Sequence, residues 1–271
     1  MASSRTLALV ASLGRRFFDR FKGAVLGVQE YVLLSWNGLV AIFTAPNYPR
    51  EMVAQMDAIG VGSLSIVVLT GVFTGMVLTL QSAASLDAFG ARPYVGRLVC
   101  VSMVRELGPV LTALMVTGRV GSGMAAELGS MVVTQQIDAL RVLGSDPIRK
   151  LVAPRLAAGI IMVPILTIIS DTLGIFGGSL ISVFNLKLSW EFYWRSVGNA
   201  LTINDLAMGL LKPVVFGFIL TSVGCFMGLR TTGGTQGVGL STTRSVVVGS
   251  VTILSSDFFM TKILLLIFPV T

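Results

Sequence analysis

The stretch IGVGSLSIVVLTGVFTGMVLTLQSA, at residues 59–83, contains 25 residues and no Asp, Glu, Lys or Arg. A helix that crosses a membrane needs about 20 mostly apolar residues, and this stretch is long enough. The whole chain agrees, because 54% of its 271 residues are hydrophobic and only 12% are charged. Soluble domains carry about 25% charged residues. The sequence therefore indicates a polytopic membrane protein and excludes an ordinary soluble enzyme, a disordered chain and a coiled coil.

Four further apolar stretches follow the same pattern, and the sequence predicts five transmembrane helices. These lie at about residues 60–84, 95–118, 153–184, 206–229 and 246–269. Ahead of them, residues 5–22 mix Leu and Phe with Arg and Lys, which is typical of an amphipathic helix on the membrane surface. Residues 23–45 are more apolar but are interrupted by Glu30, Trp36 and Asn37. We interpret them as a membrane-embedded elbow.

The predicted fold is an all-α polytopic membrane protein with two regions. Residues 1–50 form the N-terminal amphipathic and elbow region, and residues 51–271 form the five-span domain, with a polar connection at about 119–152. Thirteen of the 20 Lys and Arg residues fall in residues 1–50, 119–155 and 230–245. Cytoplasmic loops carry an excess of Lys and Arg, so we expect a cytoplasmic N-terminus and an outer C-terminus.

The missing residue types narrow the possible chemistry. The chain has no histidine, which excludes a Ser-His-Asp or Cys-His triad, histidine-ligated zinc and a histidine proton relay. Its two cysteines, Cys100 and Cys225, lie in apolar runs and are interpreted as small core residues. The glycine-rich loop at residues 233–239 lacks the Gly-Lys-Ser/Thr ending of a phosphate-binding loop. ATP hydrolysis would therefore require another chain.

Several ionisable residues lie inside the predicted spans, where charge is costly and is often functional. Arg105 and Glu106 are adjacent, so they point in different directions and each needs a partner on another helix or a wet cavity. Asp171 and Asp257 raise the same question, with structural pairing between helices as the alternative to a functional role. We expect two lysines to extend to the membrane surface, Lys212 and Lys262. Two pairs of small residues favour close helix packing, Gly71 with Gly75 and Gly174 with Gly178.

The connection at 119–155 carries a second candidate site. Apolar residues recur at helical spacing between residues 124 and 140, and Asp146-Pro147 is a typical helix start. The pattern predicts an amphipathic helix over about 124–143, either simply solvated or docking a cytoplasmic partner by inserting an apolar ridge into a groove.

Three segments resemble one known family. They are GVFTGMVLTLQ at 71–81, VRELGPVLTALMVTGRVGSGMAAELGSMVVTQQIDALRVLGSDPIRKLVAPR at 104–155, and GVGLSTTRSVVVGSVTILSSDFFMT at 237–261. This sequence is similar to the MlaE-type, Mce-associated ABC-transporter permeases from about residue 55 to its end. The resemblance implies a multi-pass permease of the bacterial inner membrane that moves phospholipid between the inner and outer membranes and maintains outer-membrane lipid asymmetry.

The resemblance also implies an assembly. Family members are homodimers with five spans and an N-terminal interfacial element, and lipid occupies a cavity between the protomers. A cytoplasmic ABC ATPase binds a coupling helix, a hexameric Mce-domain protein sits on the periplasmic side, and many systems add a STAS-domain subunit. This chain is then no enzyme and binds no cofactor or metal, while ATP and magnesium are used by the partner ATPase.

The resemblance carries over to residues as two sets, neither of them catalytic. The ATPase-coupling candidates are Glu127, Leu128, Met131, Gln135, Asp138, Leu140 and Arg141. Gln135 departs from the family, where an acidic residue is common at that position. The lipid-path candidates are Arg105, Glu106, Met76, Leu78, Leu80 and Asp257. Arg105 is expected to approach a lipid phosphate, with Glu106 setting its orientation.

Three other functions remain open from the sequence. An ion-coupled secondary transporter would use Asp171, Asp257 and Glu106 as a relay, although the chain has no inverted repeat of spans. The permease could carry another lipid, such as a sterol-like molecule. A lipid-anchoring scaffold would only hold its partners together.

Overall fold

The computed structural model describes residues 2–44 and 48–267, and the regular structure within them is helical. We number eight helices. They are α1 (Ala2–Phe43), α2 (Pro49–Asp87), α3 (Arg92–Val133), α4 (Gln136–Val142), α5 (Ile148–Phe184), α6 (Trp190–Gly198), α7 (Ile203–Leu229) and α8 (Gly234–Ile267). Six helical segments are long and apolar enough to cross a membrane, namely Val25–Phe43 of α1 and the whole of α2, α3, α5, α7 and α8. The predicted all-α polytopic fold is confirmed.

The end of α1 lies across one end of the bundle. Tyr31 Oη lies 2.8 Å from Ser222 Oγ near the end of α7, and Gly38 faces the side chain of Leu156 near the start of α5. A helix advances about 1.5 Å per residue, yet the neighbours of α1 stay close to the start of α5 and to the end of α7. This segment therefore crosses those ends instead of running beside the helices. The depth of the elbow in the membrane stays a prediction.

The closest helix pair is α2 with α5, and small residues form its contact. Gly71 faces Ser170, and Gly75 faces Gly174 so closely that a Cβ at residue 75 would overlap the partner backbone. One turn further, Gly178 faces Thr79. In lipid, small residues let helix backbones approach and gain van der Waals contact. The predicted packing role of both glycine pairs is confirmed.

Helix α3 differs from the sequence prediction because it continues well past residue 118. It runs to Val133 through two π-helical turns, Met103–Leu107 and Thr117–Gly121. Most of the stretch predicted as a polar connection is thus helix. The predicted helix at 124–143 is also wrong as one unit, because Gln135 adopts a left-handed conformation (φ 59°) and separates α3 from α4.

The physical reason for this extension is burial. Met124 packs with Val120 and Val223 in the largest apolar cluster. Leu128 is fully buried in another cluster with Val152 and Cys225. These apolar residues therefore continue the face that α3 buries in the bundle. Both cysteines are buried and free, as expected for core residues.

Helix α8 closes the bundle with one narrow face. Its buried residues recur every four positions from Ser241 through Ser245 and Gly249 to Ile253. Ser245 Oγ donates a hydrogen bond of 2.9 Å to the carbonyl oxygen of Gly121 in the second π turn of α3. The rest of α8 exposes large apolar side chains. They include Val247, Val251, Leu254, Phe258 and Ile263.

We predict that Gly75→Ala destabilises the protein, since the added methyl group meets the backbone of Gly174. Overpacking of this kind costs about 1–3 kcal/mol. The matched control is Gly123→Ala in α3, where nothing lies within 4 Å of the added Cβ. That change should leave stability equal or raise it by up to about 1 kcal/mol, because alanine is the better helix former. Thermal unfolding in detergent, followed by tryptophan fluorescence, compares the two, and equal shifts would contradict the proposed contact.

Candidate functional site

Five charged side chains from three helices form a network inside the bundle, which we call the charged network. Its members are Arg105 and Glu106 of α3, Asp205 and Lys212 of α7, and Asp257 of α8. The two α3 residues lie in the first π turn. As expected, each of the adjacent charges finds its partner on another helix.

Arg105 pairs with Asp205 at the beginning of α7. The guanidinium group donates to Asp205 Oδ1. The other oxygen, Oδ2, accepts hydrogen bonds from the backbone N–H (2.9 Å) and the hydroxyl (2.8 Å) of Thr202. Thr202 in turn caps the helix by accepting from the Asp205 N–H at 3.3 Å. One buried carboxylate thus both starts α7 and holds it against α3.

Lys212 joins the other two carboxylates. Its Nζ lies 2.5 Å from Glu106 Oε2 and 3.0 Å from Asp257 Oδ1. Thr261, one helical turn after Asp257, donates to Glu106 Oε1 at 3.2 Å. The Lys212 side chain is only 2% exposed, so the expectation that it extends to the membrane surface is wrong. It is held inside because two carboxylates offset the cost of burying its charge.

A cavity of about 240 Å³ opens beside the charged network. Arg105, Glu106 and Lys212 line one side of it. Met208, Leu264 and Leu265 supply apolar walls. The Glu106 side chain is 42% exposed, in contrast to its buried partner Lys212. Charged groups and apolar walls at one cavity suit a ligand with both a polar and an apolar part.

The lipid-path candidates on α2 lie apart from the charged network. All partners of the charged network come from α3, α7 and α8, whereas α2 packs against α5 and the first part of α3. Met76 and Leu78 are half-buried, and Leu80 is 40% exposed. The structure therefore brings Arg105, Glu106 and Asp257 together in the charged network. The three apolar candidates lie on α2, outside that network.

Asp171 is also separate from the charged network. It lies on α5, and its carboxyl group faces Gly108 of α3, where a Cβ would collide with it. Its buried Oδ1 has no hydrogen-bond partner among the described residues. The three carboxylates of the hypothetical relay, Asp171, Asp257 and Glu106, therefore do not form one cluster. Glu106 and Asp257 lie near each other, but the ammonium group of Lys212 lies between them.

The seven coupling candidates fall into distinct environments. Glu127 Oε1 lies 2.8 Å from Arg155 Nη2 and so links α3 to α5. Leu128 is fully buried, so it belongs to the core and is not part of the exposed surface. Met131 packs partly buried beside Leu128. The other four lie at or beyond the end of α3, namely the exposed Gln135, Asp138 and Arg141 and the half-buried Leu140.

Helix α4 presents an apolar tip that the sequence analysis missed. Ile137 anchors α4 by being buried, and Asp138 pairs with Arg141 at 3.0 Å on the surface. Val142 and Leu143 then stand 87% and 78% exposed. The sequence signal that could have located them is Gly144, because a glycine commonly ends a helix. In the structure Gly144 has a positive φ of 75° and follows directly after Leu143.

Six of the described helices are long enough to cross a membrane, and charged residues pair with one another inside them. These features define a multi-pass membrane protein, and they are typical of transporters. The chain belongs to the MlaE permease family, because the sequence model described as Permease MlaE matches residues 52–263. It is accordingly an ABC-transporter permease that works with an ATPase partner.

Three relatives illustrate the similarity. The intermembrane phospholipid transport system permease protein MlaE of Haemophilus influenzae is 36% identical over 259 residues, covering 94% of this chain and 97% of that protein. A probable ABC transporter permease protein of Rickettsia typhi is 40% identical over 237 residues (88% and 92%). Another probable ABC transporter permease protein, from Synechocystis, is 44% identical over 211 residues (78% and 80%).

We predict that Lys212→Met destabilises the bundle strongly. The change leaves Glu106 and Asp257 without their shared counter-charge, and breaking a buried pair in this way costs about 3–5 kcal/mol. The triple variant Lys212→Met/Glu106→Gln/Asp257→Asn removes all three charges and should recover most of the loss.

Chemical or thermal unfolding in detergent measures both variants. Arg92→Gln is the control, because it breaks an exposed pair with Asp87 that contributes little. A Lys212→Met variant as stable as Arg92→Gln would contradict a stabilising role for the charged network.

Proposed function

We propose that this chain is the permease subunit of an ATP-driven transporter that moves phospholipid between the inner and outer membranes. The observation that carries the proposal is the charged network beside an apolar cavity, in a chain of the MlaE permease family. The name of the Haemophilus relative supports phospholipid as the cargo. A phospholipid needs both features, because its phosphate is charged and its acyl chains are apolar.

In this proposal the chain performs no chemistry of its own and works by conformational change. ATP and magnesium bind to the partner ATPase, and closure of two ATPase subunits moves the coupling region. The Glu127–Arg155 pair and the buried Leu128 support transmission of that movement, since they join the end of α3 to the start of α5. The exposed tip of α4 is the surface we assign to the ATPase.

The permease functions as a homodimer in this proposal, with lipid between the two copies. Helix α8 supports this arrangement because it buries one narrow face and leaves the opposite apolar face uncovered. The distribution of basic residues supports insertion in the inner membrane with the N-terminus cytoplasmic and the C-terminus periplasmic. A periplasmic Mce-domain hexamer, and in some systems a STAS-domain subunit, complete the assembly.

Ion-coupled transport receives less support. A relay needs carboxylates that are free to exchange ions, yet Lys212 already lies between Glu106 and Asp257. The third carboxylate, Asp171, faces α3 elsewhere in the bundle.

We predict that Arg105→Met lowers the phospholipid bound to the purified permease several-fold, since the lipid phosphate loses its cation in the cavity. The α7 cap between Thr202 and Asp205 does not use Arg105, but the buried Asp205 loses its counter-charge, so thermal unfolding of the variant is measured alongside. Mass spectrometry of co-purified lipid and transport in proteoliposomes with the ATPase measure the effect. Arg92→Met is the control. Unchanged lipid occupancy and transport in Arg105→Met would overturn the role given to this residue.

We predict that Leu143→Asp prevents stable binding of the ATPase, because it places a charge in the apolar tip of α4. The matched control is Phe184→Asp at the end of α5, which is 81% exposed, near the 78% of Leu143, but lies at the opposite end of the bundle. Affinity co-purification of the ATPase with each variant checks this. Equal ATPase recovery from the two variants would place the docking surface elsewhere.

A further inference from the structure

Three neighbouring cavities form one continuous groove along α3, which we call the α3 groove. The first, of about 430 Å³, lies against α6 and shares Tyr94 and Arg97 with the second, of about 390 Å³. The second shares Val101, Ser102 and Arg105 with the cavity beside the charged network. Tyr94, Arg97, Val101 and Arg105 are spaced three or four apart and so lie on one face of α3, with Ser102 next to Val101 at its edge. The first and second cavities each fall within the range typical of ligand sites, about 300–1,000 Å³.

Positive charge is concentrated at the outer end of the α3 groove. Arg97 and Arg195 line the first cavity, and no acidic side chain of the described residues does. Arg97 has no carboxylate within 4.0 Å in the described part of the chain. Arg195 lies 3.2 Å from Glu191, but both are exposed, and such surface pairs contribute little. This end of the groove therefore offers two guanidinium groups to an anion.

The inner end of the α3 groove, at the third cavity, offers no unpaired positive charge among the described residues. There Arg105 is neutralised by Asp205, and Lys212 by two carboxylates. The walls between are apolar and include Val101, Met208 and Leu265. Unpaired positive charge is therefore found at the first cavity, whereas the charges at the third cavity are neutralised by partners and lie beside apolar side chains. This order matches a molecule with an anionic head and an apolar tail.

The outer end also carries the residues expected at a membrane interface. Trp190 of α6 is 47% exposed and meets Phe176 edge-on, with ring centroids 6.2 Å apart. Tryptophan and tyrosine are enriched at the level of lipid head groups. Tyr94, Ser196 and Asn199 add hydrogen-bonding groups to the first cavity. An anionic head group at Arg97 would thus lie at its usual depth.

We propose that the α3 groove binds one phospholipid, with its phosphate on Arg97 and Arg195 and one acyl chain along Val101 and Met208 toward the charged network. The proposal rests on the proposed function, because it adds a second station to the lipid path. All residues that line the site come from one chain and belong to α3, α6, α7, α8 and the link between α6 and α7. Guanidinium groups suit it because they bind phosphate oxygens in a bidentate manner.

The test uses the full chain in phosphatidylcholine nanodiscs that contain photoactivatable phosphatidylglycerol. Cross-linked peptides are identified by mass spectrometry. We expect labelling of α3 around Val101 and of α7 around Met208. The double variant Arg97→Gln/Arg195→Gln should lower this labelling about tenfold, since two charge-assisted contacts are lost. The control Arg92→Gln/Lys187→Gln removes two exposed charges at the same end, outside the α3 groove, and should label as the unchanged chain does.

A second pair of variants tests the apolar part. Val101→Trp fills the wall shared by the second and third cavities and should abolish labelling around Met208. Val53→Trp adds the same bulk at a position of α2 that is 64% exposed, and should have no effect. Thermal unfolding of each variant identifies a folding defect, which we do not expect from the exposed Arg97 and Arg195.

Competition separates a lipid site from an anion site. Excess inorganic phosphate should reduce labelling far less than excess unlabelled phosphatidylglycerol, because phosphate competes for the two arginines but cannot occupy the apolar walls. Equal competition by the two, or equal labelling of the Arg97→Gln/Arg195→Gln variant and its control, would overturn the α3 groove as a phospholipid site. Transport with the ATPase in proteoliposomes is measured separately. Failure of the unchanged chain to transport phospholipid would overturn the proposed function whatever the labelling shows.

Discussion

A charge inside a membrane must be paired with an opposite charge nearby. In this protein Lys212 supplies that opposite charge for two carboxylates. Its ammonium group lies between Glu106 and Asp257, so one residue of α7 joins α3 to α8. Asp205 adds a second link through Arg105 and also caps α7. Three helices are thus positioned by the need to pair five charges. The cavity that we assign to lipid exists beside these pairs and depends on them.

The other helices are held by contacts of a different kind. Helices α2 and α5 pack through glycine and serine, with no charged side chain at the points of closest approach. Small residues fix the distance between two helices and tolerate little change in size. The charged side chains of Glu106 and Arg105, by contrast, are partly exposed. The bundle therefore combines a closely packed pair with a three-helix part held by ion pairs. In the proposed transport cycle, the second part is the one suited to movement.

The sequence was sufficient for the fold class and for recognising that charges inside spans need partners, because hydropathy and the cost of buried charge are local properties. It could not identify those partners. Arg105 and Asp205 are 100 residues apart, and Glu106 and Lys212 are 106 apart, so only the packing of α3 on α7 brings them together. Lys212 was misjudged for the same reason. The extension of α3 to Val133 was missed because Gly, Ser, Arg119 and Glu127 make this stretch look polar, while Met124 and Leu128 face the core.

The two π turns of α3 have a consequence for how the chain tolerates insertions and deletions. A π turn holds one more residue than an α turn, which rotates every later side chain by about 100° about the helix axis. The residues after Leu107 and again after Gly121 therefore follow new angular registers. Deleting a single residue near Met103 would let this turn relax to regular α geometry, and because the two changes offset each other the following segment, including Gly108 opposite Asp171, would stay aligned. The two π turns are thus the places where α3 can lose one residue without turning the helix that follows, whereas a deletion between them would rotate the residues after it by about 100°.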